Sequence, residues 1–278
     1  MQIIFYCCPK PFIPEFKQIQ TNAISSWLNL KSTKKVVVFG NEEGIVEFTE
    51  RNSCLVSKPN IKYSPRYRTP ILSSIFGQMK KDYANECDKT NEAIFGCYIN
   101  SDIILTRDFE NTLKSLIATF PNHPSILGIG QRINYNVSRN GILQSSFLEN
   151  LDTEKIKEDS RFKLHGPNGI DYFIFEKDTF TYVPDFCLGK FFWDVWLVGN
   201  CYRRNIWVLD LTKTVTAIHQ DSPWFMGGEP VYNQELLRSS SEGVYNVLYE
   251  NYAKNITTGS KGYSEKIGSN IYFRYYLK

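Results

Sequence analysis

Through the first hundred residues of this 278-residue chain, short apolar runs alternate with stretches of helical spacing, and few folds accommodate that alternation. Ile3 to Cys8 reads as a strand. Glu15 to Leu30 carries Phe16, Ile19, Ala23, Ile24, Trp27 and Leu28 at helical spacing, and Lys35 to Phe39 returns as a strand. Cys54 to Val56 is a short third strand. Thr69-Pro70 supplies a cap and a first-turn proline for a helix running through Met79 to Tyr83, and Ala93 to Ile99 is a continuous apolar strand. Parallel strands need such crossovers, so the first half is β-α-β-β-α-β in the doubly wound style.

Further on, Asp108 is placed to cap a helix through Leu113, Leu116 and Ile117, and Ile126 to Arg132 follows as a strand. Residues 144–164 are charged and read as a surface excursion. Asp171 to Phe175 alternates like a strand, Trp193 to Arg204 like an amphipathic helix, and Ile206 to Leu211 like another strand. After about Gly227 the pattern weakens into a tyrosine-rich tail with Gly259, Gly262 and Gly268, which suits a helix plus a loose hairpin.

Composition narrows the class. Hydrophobic residues make up 42% and aromatics 15%, against 22% charged, which supports a packed core and excludes a disordered or fibrous chain. With 32 Lys+Arg and 29 Asp+Glu the net charge is +3, and no window holds five consecutive basic residues, so nucleic acid is not an expected partner. No stretch approaches the ~20 apolar residues of a transmembrane helix. The first apolar run follows only Met1-Gln2 and stops at Pro9-Lys10-Pro11, so it reads as a mature strand and not a signal peptide. Seven cysteines, an odd number without a C-x-x-C pair, point to reduced thiols and a cytoplasmic protein. The sequons Asn136-Val-Ser138 and Asn255-Ile-Thr257 then read as chance matches.

The segment Tyr98-Ile-Asn-Ser-Asp102 ends an apolar strand in two polar side chains. Alternation puts Asn100 and Asp102 on one side of the chain at the carboxyl edge of the sheet, where α/β folds bind ligands. A carboxylate there suits Mg²⁺ or Mn²⁺ holding a diphosphate; the alternative is a strand-end turn with Asp102 as a local cap.

An ordered series of motifs, FYCCPKPF at Phe5 to Phe12, FGNEEG at Phe39 to Gly44, Thr69-Pro70, YINSDIIL at Tyr98 to Leu105, Gly130-Gln-Arg132, HGPNGIDYF at His165 to Phe173, WDVWL at Trp193 to Leu197 and AIHQ at Ala217 to Gln220, resembles the glycosyltransferase-like proteins of the nucleotide-diphospho-sugar transferase superfamily. The resemblance implies an α/β fold of the GT-A type: a doubly wound, mostly parallel sheet flanked by helices. It places the domain at about residues 1–235, with 236–278 a carboxyl-terminal helical or hairpin extension.

The resemblance also implies roles. Asn100-Ser-Asp102 sits where such enzymes carry a D-x-D metal motif, with Asn replacing the first Asp. Asp102 is then the direct ligand, Asn100 a hydrogen-bond partner of ribose or of a metal-bound water, and His219 completes the metal shell, unless it is a buried structural histidine. Asp194 matches the acidic residue that removes a proton from the acceptor hydroxyl in inverting enzymes, although an Asp at a helix start also suits simple capping. The family's Gly-Arg-Pro-Gly before this Trp-Asp is Gly189-Lys-Phe-Phe192 here. Donor contacts fall to Pro9, Lys10 and Pro11 as a stiff turn, to Glu42 or Glu43 for base or ribose, and to Arg68 and Arg132 for the diphosphate; for Lys10 and Arg68 the alternative is solvated surface charge. His165, Asp171 and Trp193 are the candidates for donor-sugar or acceptor contact, although the glycines after His165 also suit a tight turn.

The expected activity is metal-assisted transfer of a sugar from a nucleotide-diphospho-sugar to a glycan or other hydroxyl acceptor. The alternative is a catalytically silent member that binds nucleotide or glycan, which the Asn at position 100 favours. A nucleotidyltransferase fits less well, because no Gly-rich triphosphate loop with a following Lys lies near the amino terminus. The dinucleotide fingerprint fails after Gly128-Ile-Gly130, since residue 133 is Ile, and neither G-x-S-x-G nor a Walker A motif is present.

Overall fold

The computed structural model describes residues 1–122, 125–144, 151, 153–166, 169–190 and 193–221, together with the backbone of 263–267 and 271–275. β1 (Gln2–Cys7) leads into α1 (Pro14–Leu28), β2 (Thr33–Phe39), α2 (Ile45–Thr49), β3 (Leu55–Lys58), α3 (Leu72–Cys87) and β4 (Ile94–Ile99). Then come β5 (Ile103–Leu105), α4 (Arg107–Thr119), β6 (Ile126–Ile129), β7 (Ile133–Asn136), α5 (Val137–Asn140), α6 (Thr153–Glu158), β8 (Phe162–Leu164) and β9 (Tyr172–Phe175). α7 (Trp193–Arg203), β10 (Trp207–Asp210) and β11 (Ala217–Asp221) follow, and β12 (Tyr263–Ile267) pairs antiparallel with β13 (Ile271–Tyr275).

Seven strands form the main sheet in the order β10-β6-β9-β4-β1-β2-β3. All are parallel except β9, which runs antiparallel between β4 and β6. Successive side chains of a strand point to opposite faces, and β1 shows the consequence: Ile3, Phe5 and Cys7 join the core under α1 and α4, while Ile4 and Tyr6 join the core under α3 and α7. Gly96 in β4 is required by close approach, since a Cβ there would lie 2.1 Å from the Phe175 ring of β9. A second sheet, β5-β11-β7-β8, closes the carboxyl edge of the first over a small core of Ile104, Tyr135, Leu143, Ile156, Phe162 and Ile218.

Several sequence expectations change. The linkage of β2 to β3 holds a short helix, α2, so the first half is β-α-β-α-β-α-β; five residues are too short for a periodic signal. α3 begins at Leu72 with Ile71 as its cap residue, because Pro70 is held in a bridge to Tyr63. Asp108 lies inside α4, whose cap residue is Thr106, and its carboxylate instead accepts from the Thr216 amide at 2.9 Å. The strand expected over Ile126 to Arg132 breaks at Gly130, and the chain passes from β6 in one sheet to β7 in the other. The hairpin of the tail is present as β12 and β13; the tail helix and the pair Trp224-Phe225 lie outside the described residues.

Candidate active site at the carboxyl edge

β1 lies between β2 and β4, and the chain moves along the sheet in opposite directions from them, to β2 after β1 and toward β6 after β4; the carboxyl edge at such a switch point is where α/β sheets form their ligand crevice. The strand ends at Cys7, Phe39 and Ile99 stand side by side, as the βαβ alternation requires. Around the crevice are the loop after β1, the turn after β4, the Arg132 segment, the start of β9, the first turn of α7, and β11.

The Asn100-Ser-Asp102 segment is a turn, not an extension of β4: the Ile103 amide donates to the Asn100 carbonyl at 3.1 Å. Alternation therefore stops at Ile99, and Asn100 and Asp102 take different partners. Asp102 Oδ2 lies 3.4 Å from His219 Nε2. His219 is inside β11, paired with Ile103 and Asn134. The imidazole side chain is 11% exposed and the carboxylate 31%, so the pair is enclosed on the His219 side and open on the Asp102 side. Burial pushes the Asp102 carboxyl up, but the charges of His219, Lys10 and Arg132 outweigh it and hold it below the usual range. Burial pushes His219 down, and Asp102, then Asp171, hold it above its ordinary value.

Two atoms of this pair, Asp102 Oδ1 and His219 Nδ1, are buried and have no hydrogen-bond partner among the described residues. The 3.4 Å spacing of carboxylate oxygen and imidazole nitrogen is close to the ~3 Å between neighbouring ligands of an octahedral ion bound at ~2.1 to 2.3 Å. An oxygen and an imidazole donor together suit Mn²⁺ better than Mg²⁺, which prefers an all-oxygen shell. Among the described residues no third His, Cys, Asp or Glu joins them, so those residues offer two ligands.

Asn100 is committed elsewhere. Its amide donates to Asp171 Oδ1 at 2.7 Å, and Arg132 Nη1 donates to Asp171 Oδ2 at 2.6 Å. Arg132 also reaches Asn134 through Nε at 3.0 Å. Asp171, 7% exposed, thus has both oxygens occupied by protein donors. Asp194 opens α7, and its carboxylate accepts from the Val195 amide at 2.8 Å. A helix start by itself favours an ionised carboxylate. Instead burial, reinforced by Asp171, pushes it up to about 7, a value at which it takes and releases protons near neutral pH.

On the other side of the crevice Glu42 accepts from the Tyr63 hydroxyl at 2.9 Å, and its Oε2 is buried without a partner beside Gly40, whose φ of +105° needs glycine. Glu43 is exposed and contributes its carbonyl to the Phe12 amide. Pro9 is buried, Pro11 half-buried and Lys10 exposed, its ammonium 4.7 Å from the Phe16 ring. Arg68 is exposed on a hairpin with φ +53° and has no hydrogen bond or ion pair with the Asp102 cluster among the described residues. His165 is half-buried; its amide donates to the Arg132 carbonyl and its ring packs where a Cβ on Gly169 would sit. Trp193 is the clearest correction: at 6% exposure its ring packs on Tyr98 and Phe173, so it is core and offers no face to a sugar.

Sequence reasoning missed the side chains that fix the loops. Gln20 accepts from the Lys10 amide at 2.7 Å and from Ser101 Oγ at 3.0 Å, and donates to the Lys10 carbonyl at 2.9 Å. It ties the exits of β1 and β4 together. Gln220 does the same for Ile19 and Asp102, and its side-chain oxygen accepts from Asn22. The signal was available: Gln20 lies four residues after Phe16 and four before Ile24, a polar residue inside an apolar stripe.

With this geometry in view, comparison with known proteins bears on the fold. No family model and no curated protein matches the sequence. Among solved structures, the chain is similar to S. aureus TarS 1-349 in complex with UDP-GlcNAc, at 17% identity and a TM-score of 0.51, covering 92% of this chain and 70% of that one. The same fragment with UDP gives 16% identity and a TM-score of 0.49, covering 92% and 71%. Glucosyl-3-phosphoglycerate synthase from Mycobacterium tuberculosis in complex with Mg²⁺ and UDP gives 11% and 0.38, covering 99% and 87%. The fold is of the GT-A type, a mostly parallel sheet flanked by helices, as in that TarS fragment. Among the described residues no helix is long and apolar enough to cross a membrane.

Proposed function

We propose that the protein transfers a sugar from a nucleotide-diphospho-sugar to an acceptor hydroxyl with inversion at the anomeric carbon. The observation that carries this reading is the Asp102–His219 pair, two of whose buried atoms have no hydrogen-bond partner among the described residues, at the switch point of a sheet whose edge also holds the half-buried carboxylate of Asp194. Asp102 and His219 would hold a divalent cation, which supplies charge neutralisation to the departing diphosphate. Lys10 and Arg132 add fixed positive charge, both felt at Asp102. Asp194, near neutral pKa, is matched to accepting the proton of the acceptor hydroxyl. Glu42 with Tyr63 lines the donor side, and uridine is the first nucleotide to test because TarS has been crystallised with UDP-GlcNAc. Residues 1–235 form the transferase domain in this reading, with 236–278 its extension, and seven free cysteines suit a reducing compartment such as the cytoplasm.

One observation favours a silent, binding-only protein: Asn100 stands in for an acid and spends its amide on Asp171. A thermal-shift series with UDP and UDP-sugars, in Mn²⁺ and in chelator, tests the donor reading, since a ligand at ~100 times its Kd adds ~2.7 kcal/mol to folded-state stability. No shift with any nucleotide would overturn it. Shift without release of UDP from a bound UDP-sugar would favour the silent reading.

A further inference from the structure

Resting on that transferase reading, we propose that the hairpin between β3 and α3 binds the acceptor and that the acceptor is an anionic glycan. Between Glu50 and Asp82 the chain has seven basic residues and no acidic one. The hairpin arms are closed by the Ile71 amide on the Lys62 carbonyl and the Ser64 amide on the Thr69 carbonyl, each at 2.8 Å. Lys62, Arg66 and Arg68 are exposed on it. Arg66 lies 5.0 Å from the Tyr67 ring and Lys190, from the loop before α7, lies 4.7 Å from the same ring. Two cations thus converge on one aromatic ring. Among the described residues none of these four makes an ion pair, whereas Lys34, Lys35, Lys89 and Lys114 all do. An anion at the hairpin relieves that like-charge proximity and pairs with the guanidinium fork of Arg66.

Position assigns the anion to the acceptor. Tyr63 of the hairpin touches Glu42 on the donor side. The hairpin is stitched to the segment ahead of α7 by the Leu72 amide on the Phe186 carbonyl and the Leu188 amide on the Pro70 carbonyl, each 2.9 Å. Lys190 precedes Asp194 by four residues, at most ~15 Å of chain. The basic track therefore runs from the donor crevice toward the base. A nucleic acid fits less well: the Tyr67 ring already has two cations against it, the Tyr63 hydroxyl is bonded to Glu42, and Asp102, Asp171 and Asp194 border the crevice.

Fluorescence anisotropy on the full chain with labelled polygalacturonate and phosphomannan, neutral dextran, single-stranded DNA and anionic lipid vesicles tests this. We expect binding of at least one anionic glycan, weakening ~10-fold or more between about 50 and 200 mM salt, and none of dextran. Lys62→Glu/Arg66→Glu should lose ~10-fold or more in affinity while the UDP thermal shift stays at the wild-type value. Lys190→Glu serves as the independent variant if the double one fails to fold. Whichever glycan binds names the anion as carboxylate or phosphate. Absence of anionic-glycan binding, unchanged binding in a folded variant, or tighter binding of DNA or vesicles overturns the proposal. Glycan binding with no UDP shift would instead sink the donor reading and leave the surface standing.

Discussion

Two charged clusters sit on opposite sides of the same sheet's chemistry, and they differ in whether their polar atoms are satisfied. On α3 and β2, Asp82 accepts from Lys35 at 2.9 Å and from the Tyr6 hydroxyl at 3.0 Å. Glu86 takes Lys34 at 2.9 Å on one oxygen and Lys35 and Lys89 at 3.0 Å on the other. Every carboxylate oxygen there has a donor. At the crevice, Asp102 Oδ1 and His219 Nδ1 have none among the described residues, and the Asp194 carboxyl is pushed up to about 7. Buried polar groups cost stability unless partnered, so a closed network explains itself as structure while an open one calls for a partner from outside.

The largest effect should come from Asp194→Asn, which breaks the comparison if the residue is only a helix cap. Turnover should fall ~10²-fold or more with UDP affinity unchanged, as steady-state kinetics and titration calorimetry would report. The sugar product should have the anomeric configuration opposite to the donor. Wild-type turnover in the variant, or retained configuration, would exclude Asp194 as the base.

Next in size is Asp102→Ala. UDP affinity measured in Mn²⁺ should drop ~10- to 100-fold, and the same measurement in chelator should show little difference between variant and wild type. Equal losses in both conditions would mean that Asp102 shapes the turn and holds no ion.

Lys35→Met probes the closed cluster. It leaves Asp82 and Glu86 each short of a donor on α3, so chemical denaturation should show a loss of ~1 to 3 kcal/mol while UDP binding is unaffected. Lost nucleotide affinity with intact stability would reverse the roles assigned to the two regions.

Much of this was readable before any coordinates, and the boundary of what was readable is physical. β1, α1, β2, α3 and β4 declare themselves because their signals are local: periodicity of 2 or 3.6 in runs of apolar residues. Asp102 and His219 were legible as residue types at a strand end and in a late motif, and they do meet. What was not legible depends on pairing across long sequence distances. Nothing in Tyr172 to Phe175 says that β9 inserts antiparallel between β4 and β6, or that β5, β7, β8 and β11 form a second sheet. Asn100's commitment to Asp171, Glu42's to Tyr63 and Trp193's to the core are likewise contacts between distant segments. The ionisation of Asp194 is not legible in the sequence either, because the helix start is visible there and desolvation is not.

The smallest effect, and the sharpest contrast, is in the sign of the pH dependence of stability. Glu86 is held at about 2 by Lys34 first, against burial, and then by Lys89 and Lys35; an ordinary Glu titrates near 4.5. Between those values the unfolded chain binds the proton and the folded one does not, so its contribution is fully present above about 4.5 and is lost as pH falls toward about 2. Asp194 runs the other way. Its folded pKa of about 7 lies above the ordinary 3.8, so across that window the folded chain keeps the proton and stability falls as pH rises. Each group contributes a slope of at most ~1.4 kcal/mol per pH unit, with opposite sign. Urea denaturation from pH 3 to 8 should therefore show Glu86→Gln with a shallower acid limb, and Asp194→Asn gaining stability relative to wild type as pH rises through 7. An Asp194→Asn protein that loses stability at pH 8 would identify Asp194 as an ionised cap, and the two clusters would then be of one kind.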